Sequence, residues 1–530
     1  MRNLIRLIGR FRRDRRGNIA VIFTLALLPI LSAVGSAIDY TVATRMKAKL
    51  QSAADAASIA SISQNSPGFM AASVMTSDGS VAVAVTDANN IFNGNVKNNT
   101  GNVVPSVTST VTKTGAKLAS NVQFTADVPT AFMKVLGFQK LTVAGVSKSS
   151  SSLPLYLDFY LMLDVSGSMG LPSTNAEQTR LAAVNPDNFG QYPNGCTLAC
   201  HFDTTDTCGD NNQKYPTANY CLGYPISRIS QAGYNKLLQN NGGQLPAYRI
   251  QNLPSSLYPY NPAYPKDPAL PPVTSCSVDG TDGCIQLRAD AVGYAVNQLL
   301  KTAPAYEKVA NQFRVGLYPF IQDLYAYFAL TSSINGDPSN SSTINYAAAN
   351  LASQLDTNRN SSLGSGGTHI DTAFNTLNGL ITSVGNGSSS NNTLPYVFLV
   401  TDGAQDPQMK GVPFGGWSGS NHAVTLGDAS NTFPTICATL KNRGIIVSVL
   451  NVPYQPINPV NKNFANDEDD AANNNINGPP GPGIKKSLQN CASPPDAGGS
   501  YYYEGNTPDE INTALQAMFN HSIQTAHITN

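Results

Sequence analysis

The segment LMLDVSGSM, Leu161–Met169, runs from an apolar stretch into Asp164, Ser166 and Ser168, three small oxygen-bearing side chains on alternate residues. Two more oxygen donors stand far downstream, Thr368 in GSGGTHIDTA and Asp402 in VFLVTDG, the latter again closing an apolar run. Two carboxylates and three hydroxyls are hard donors. They suit a divalent cation of the magnesium, calcium or manganese class, magnesium first, better than zinc or copper. So few carboxylates leave coordination positions for waters or for an oxygen from outside the chain, and such a site can capture a carboxylate of a partner. Taken singly, DVSGS is a polar turn and TDG a type I turn; the three fragments in this order argue for one site.

Such a site needs elements that bring its pieces together. Apolar runs LYLDFYLML, FRVGLYPF, DLYAYFALT, LPYVFLVT and GIIVSVLNV read as strands, separated by the helical stretches LRADAVGYAVNQLLKTA, INYAAANLASQL, IDTAFNTLNGLITS and TFPTICATLKNR, with a last helix in PDEINTALQAMFNHSIQ. Alternation of strand and helix predicts an α/β fold with a doubly wound, mostly parallel sheet, covered on both faces because its strands are apolar throughout. No G-x-G-x-x-G follows a strand, so a dinucleotide site is not expected. The set Asp164, Ser166, Ser168, Thr368 and Asp402 resembles the metal-ion-dependent adhesion site (MIDAS) of von Willebrand factor A (VWA) domains. That resemblance implies a VWA-like domain over residues 155–530, with the ligands on neighbouring loops at the carboxyl ends of the strands.

The chain's 530 residues are too many for one ordinary core, and only 12% are charged, which suits an extracytoplasmic protein. Net charge is zero but uneven, because residues 1–16 hold seven Arg against one Asp. The twenty residues Ile19–Ile38 carry no charge, enough for a helix to cross a hydrocarbon core of about 30 Å. We therefore expect a cytoplasmic basic segment (1–18), an uncleaved transmembrane helix (19–38) and all later residues on the far side of the membrane. A cleaved secretory peptide is the rival reading, though the apolar run exceeds the usual length of about 7–15 residues. The basic asymmetry points at a membrane, with no nucleic-acid partner expected. Pro29 should kink the helix, which continues through TVATRMKAKLQSAADAASIASIS with Leu50, Ala53, Ala54, Ala57 and Ile59 as its apolar stripe.

The run RRGNIAVIFTLALLPILSAVGSAIDYTVATRMKAKLQSAADAASIA resembles the amino-terminal segment of TadE/TadG-like proteins of the Tad (tight adherence, Flp pilus) assembly system. Precursors cut by that system's peptidase carry Glu five residues after the cleaved Gly; counted from Gly17 the place holds Ile22, so the anchored, larger TadG-like members fit better. From Ser80 the pattern turns to period two in SVAVAV, VPSVTSTVTKT, NVQFTADV and KLTVAGVSKS, with PTAFMKVLG as a short helical turn. Residues 39–150 are thus expected to form a small α+β, pseudopilin-like domain, closed by the linker SKSSSSLP.

A Tyr-, Pro- and Asn-rich insertion, 171–285, separates the first metal loop from the next helix and holds Cys196, Cys200, Cys208, Cys221, Cys276 and Cys284. Outside the cytoplasm these read as disulfides of undetermined pairing. The alternative is zinc at Cys196, Cys200, His201 and Cys208; haem attachment fails because CTLACH has one residue too many for Cys-x-x-Cys-His. Cys437 and Cys491 are the remaining pair, expected to staple an Asn/Asp-rich loop.

Together these readings predict a non-enzymatic, single-pass inner-membrane protein with its C-terminal domains in the periplasm. By resemblance it serves Tad/Flp pilus assembly, secretion or adhesion, binding acidic groups of pilus, secretion or cell-envelope proteins through a divalent cation, possible also as an oligomer. The alternatives are an adhesion or scaffold protein outside the pilus system, a metal-dependent hydrolase using Asp158, Asp164 and Asp402, and an ATPase-accessory VWA protein.

Overall fold

The computed structural model describes residues 17–97, 100–178, 285–356, 361–364, 367–405, 424–425, 433–453 and 484–528. The chain divides into two units, Met1–Leu153 and Pro154–Asn530.

In the first unit one helix, α1 (Gly17–Ala60), runs unbroken through Pro29. Its stripe Ala43, Leu50, Ala53, Ala54 and Ala57 is buried at helical spacing, whereas Ile59, expected in that stripe, is exposed. Ser66 caps α2 (Pro67–Ser73) by accepting the Phe69 N–H at 3.0 Å, with Pro67 preset for the first turn. The sheet is antiparallel in the order β1-β2-β3-β4: β1 (Gly79–Ser80), β2 (Ser106–Thr114), β3 (Lys117–Pro129) and β4 (Lys140–Ser152). β3 alternates exposed and buried positions, broken only at half-buried Asn121, so one face meets the helices and the other is largely open. Phe124 stacks on Phe92 beneath α1, and each ring so buried contributes roughly 2 kcal/mol.

Two expectations are corrected here. SVAVAV is a strand only at Ser80; Val81 is the N-cap and α3 (Ala82–Val96) takes the remaining four residues, because Ala84, Ala88, Phe92 and Val96 recur at helical intervals that carry the burial. SKSSSSLP is no linker up to Ser152, since Ser147–Ser152 pair with Lys117–Val122 as the second half of β4. Ladder bonds are made by the backbone, and the Ser149 hydroxyl adds a bond to the Ser58 carbonyl at 2.7 Å.

The second unit is built on a six-stranded sheet, β12-β11-β8-β5-β6-β7. Its strands are β5 (Leu157–Asp164), β6 (Phe313–Phe320), β7 (Phe328–Thr331), β8 (Leu394–Thr401), β11 (Ile446–Asn451) and β12 (Tyr502–Glu504). All neighbours are parallel except β6 and β7, so the sheet is mixed. DLYAYFALT yields only this short antiparallel edge. β5 is buried at every position, and Phe159 meets Phe313, Phe398 and Phe519. The helices are α4 (Arg288–Thr302), α5 (Ile344–Ala349), α6 (Ile370–Leu380), α7 (Phe433–Asn442), α8 (Ile484–Cys491) and α9 (Pro508–Ile528). α4 packs with α5 and α9, while α7 packs with α6 and α8. Two-residue strands β9 (Ala404–Gln405) and β10 (Val424–Thr425) pair with each other. α8 and β12 were not anticipated; both are short and follow a long polar stretch that hides them.

A disulfide joins Cys437 in α7 to Cys491 at the end of α8. The other six cysteines, and the zinc alternative at Cys196, Cys200, His201 and Cys208, lie outside the described residues.

Candidate metal centre

β5 and β8 are adjacent and parallel, Leu163 opposite Val400, so Asp164 and Thr401-Asp402 leave the sheet side by side. From β5 the chain builds β6 and β7 on one side, then returns to build β8, β11 and β12 on the other. Open α/β sheets bind ligands at the carboxyl ends of strands where such connections diverge.

Past Asp164 the chain turns at once, because Asp164 Oδ1 accepts the Ser166 N–H at 2.9 Å, a turn that needs a short acceptor side chain. The turn Gly167–Gly170 follows and leaves Ser166 Oγ 3.2 Å from Ser168 Oγ. The Thr401 hydroxyl donates to Asp164 Oδ2 at 2.6 Å and accepts the Gly403 N–H at 3.0 Å. Gly403 has φ 89°, and a Cβ there would come within 2.4 Å of Ile484 Cγ2, so the TDG turn needs its glycine.

The segment that follows Thr368 is tied to the same strand ends by two backbone N–H groups. The N–H of His369 donates to Ile321 O at 2.8 Å, one residue beyond Phe320, the partner of Asp164 across β5 and β6. The Asp371 N–H meets Gln405 Oε1 at 3.3 Å, three residues past Asp402. All of Asp164, Ser166, Thr368 and Asp402 are buried.

Sequence reasoning missed Arg288. It opens α4, where its N–H bonds Leu171 O at 2.8 Å, and its guanidinium lies 3.5 Å from Asp402 Oδ2 and donates to Pro453 O at 2.6 Å. A cation in the first turn runs against the helix dipole. That mismatch was a signal present in the sequence. The same segment zips the two ends of the insertion together: Ser173 N–H bonds Gln286 O at 2.9 Å, and the Gln286 N–H bonds Glu177 Oε2 at 2.7 Å.

Burial, and then the charge of Asp402, push Asp164 well above the usual carboxylate range, against the bonds from Thr401 and Ser166. Two buried carboxylates beside each other, one partly offset by Arg288, with hydroxyls around them, form a donor set that fits a hard divalent cation. Among the described residues no third His, Cys, Asp or Glu joins such a group. Asp158 stands apart. It lies six residues up β5, about 20 Å from Asp164 at strand rise, held by Arg314 at 2.7 and 2.6 Å and by the Thr393 hydroxyl at 2.6 Å.

A second polar group, an exposed aspartate held by two buried partners, was not foreseen either. Asp496 accepts from the Tyr501 hydroxyl at 2.6 Å and lies 2.8 Å from His521 Nε2, whose ring stacks on Tyr501. Burial opposes its ionisation, but the bonds from Tyr501, His521 and the Gly498 N–H prevail and hold Asp496 below the ordinary range. No motif announces it, because the partners come from separate elements.

These features define a mixed α/β protein with one amino-terminal helix, within Val21–Ala60, long and apolar enough to cross a membrane. Residues 17–64 match the Flp pilus-assembly TadE/G-like family. No curated protein matches the chain. Solved structures with some likeness include proximal thread matrix protein 1 from the mussel byssus, at 16% identity and TM-score 0.26, covering 44% of this chain and 43% of that one. Another is the PilB minor pilin from Streptococcus sanguinis, at 10% identity and TM-score 0.28, covering 81% and 80%. The vWF domain of the type V pili tip protein Mfa5 from Porphyromonas gingivalis follows at 9% identity and TM-score 0.29, covering 71% and 97%. The chain thus spans less than half the length of the mussel protein. TM-scores of this size carry no argument about fold or function.

Proposed function

We propose that this is a single-pass inner-membrane protein of Flp pilus assembly, with the first unit beyond Ile38 and the whole second unit in the periplasm. In this reading the second unit is a doubly wound VWA-like domain that binds an acidic side chain of a protein partner at its metal centre. The observation that carries the metal centre is the pair of fully buried carboxylates, Asp164 and Asp402, at the carboxyl ends of adjacent strands. Asp164, Ser166, Ser168, Thr368 and Asp402 would hold the ion. A bound magnesium would supply positive charge and an open coordination position for an incoming carboxylate. Asp164 and Asp402 provide the negative charge, Thr401 and the Ser166 N–H orient Asp164, and Arg288 offsets Asp402 while the ion is absent. Asp158 is committed to Arg314 far from this pair, which favours binding over hydrolysis.

The basic residues 1–16 beside the apolar run support a cytoplasmic amino terminus. A periplasm-active reporter fused after Asn530 should be active, and activity of a cytoplasm-only reporter there would overturn the topology. In cells lacking the chromosomal copy, the wild-type chain should restore pilus assembly and Asp164→Ala should not. Full restoration by Asp164→Ala would reduce the second unit to a scaffold.

A further inference from the structure

The loop between β3 and β4 presents Phe132, Val135, Leu136 and Phe138 to solvent, exposed by 49%, 83%, 49% and 56%. Four large apolar side chains on one loop of ten residues form a patch that a soluble surface does not need. Its place on the fold identifies what covers it. Phe132 lies on α1 at Gly35, so closely that a Cβ on that glycine would come within 2.4 Å of Phe132 Cβ. Gly35 belongs to the uncharged run Ile19–Ile38, about 6 Å inside the level of Asp39 at helical rise. The patch therefore continues the exposed apolar surface that α1 presents at Val34 and Ile38.

The loop is also built for a medium poor in water, where an unsatisfied backbone group is costly. Asp39, buried on α1, accepts the N–H groups of Ala131, Phe132 and Met133 at 3.0, 2.9 and 2.6 Å. Val135, Gly137 and Phe138 donate to Phe132, Lys134 and Met133 carbonyls, each at 3.1 Å. Lys134, on the same turn, has the reach to leave its ammonium among headgroups.

We infer that the β3–β4 loop inserts Phe132, Val135, Leu136 and Phe138 into the interfacial layer of the same bilayer that α1 crosses. The loop gives the first unit a second point of membrane contact, with Asp39 as the clasp between loop and helix. A depth of about 5–10 Å, typical of interfacial segments, matches the level of Gly35. The inference rests on the reading of α1 as a membrane span.

The test uses the full chain reconstituted into phospholipid vesicles, with the single tryptophan, Trp417, replaced by Phe. One tryptophan is then placed at Val135, at Val34 in the span, or at Ile59, which is exposed on α1 twenty residues beyond Asp39 and so about 30 Å from it. With lipids brominated near the headgroup end of the chains, Val135→Trp and Val34→Trp emission should fall about twofold, as interfacial depth requires, and Ile59→Trp should not change. Quenching at Val34→Trp without quenching at Val135→Trp overturns the loop insertion and leaves the anchor standing. No quenching at either overturns the anchor and the insertion together. A blue-shifted Val135→Trp emission insensitive to bromine would mean that a second copy of the chain covers the patch, and would also overturn the insertion.

Discussion

Asp39 in the first unit and the pair Asp164 and Asp402 in the second are all buried aspartates, neutralised in opposite ways. Three backbone N–H groups converge on Asp39, the Met133 bond foremost, and hold its carboxyl below the usual range. Asp164 instead receives one N–H and the hydroxyls of Thr401 and Ser166, is desolvated by burial, faces a second carboxylate, and is pushed upward. A carboxylate surrounded by N–H donors is finished as a structural clasp. A pair of carboxylates among hydroxyls is a site whose charge is balanced only in part, and it gains when a cation arrives.

The largest expected effect separates the units as wholes. The first unit contains no cysteine, whereas Cys437 and Cys491 close a loop with a sequence separation of 54. Replacing both with Ser should cost the second unit about 4 kcal/mol on the chain-entropy account, read by chemical denaturation, while hydrogen exchange in the first unit stays unchanged. Next in size is Arg288→Met, which strips the counter-charge from Asp402 and should destabilise the metal-free second unit by about 3 kcal/mol. Millimolar magnesium should recover part of that loss in thermal unfolding. Thr368→Ala removes one neutral donor and should weaken magnesium binding about tenfold by calorimetry, a loss of about 1.4 kcal/mol.

Smallest and most local is Asp39→Asn, which sets an amide where three N–H groups need an acceptor. Exchange at Ala131, Phe132 and Met133 should quicken, with the second unit unaffected. Because the folded pKa of Asp39 is depressed, its contribution is present above the unfolded value of about 3.9 and is lost as pH falls through the folded one. The same amides should therefore lose protection only below about pH 4. Equal protection in Asp39→Asn and wild type would erase the contrast between clasp and site.

How much of this could be read from the sequence follows from how local each feature is. β5, β8 and β11 were legible because a strand covered on both faces is apolar throughout. Asp164, Ser166, Ser168 and Asp402 stood out as candidate ligands because each sits at or just past such a run, whereas Thr368 follows no strand. SVAVAV misled because alternating Ala and Val also fill a helix face, and the serine tail of β4 was hidden because its pairing uses backbone groups. Which groups Asp39 and Arg288 meet was out of reach, although the place of Arg288 in a first helical turn marked it as unusual. Their partners lie 94 and 114 residues away, and only the fold brings them together.

The central claim, that the buried pair is built to receive a divalent cation, is tested most directly by thermal unfolding of the full-length wild type and Asp164→Asn, each with and without magnesium. Without magnesium, Asp164→Asn should melt at or above the wild-type temperature, because one of two repelling buried charges is gone. With magnesium at about a hundred times its dissociation constant, the wild-type second unit should gain about 2.7 kcal/mol and melt higher, and Asp164→Asn should not move. A wild-type melting temperature indifferent to magnesium, or an equal rise in both proteins, would contradict the account.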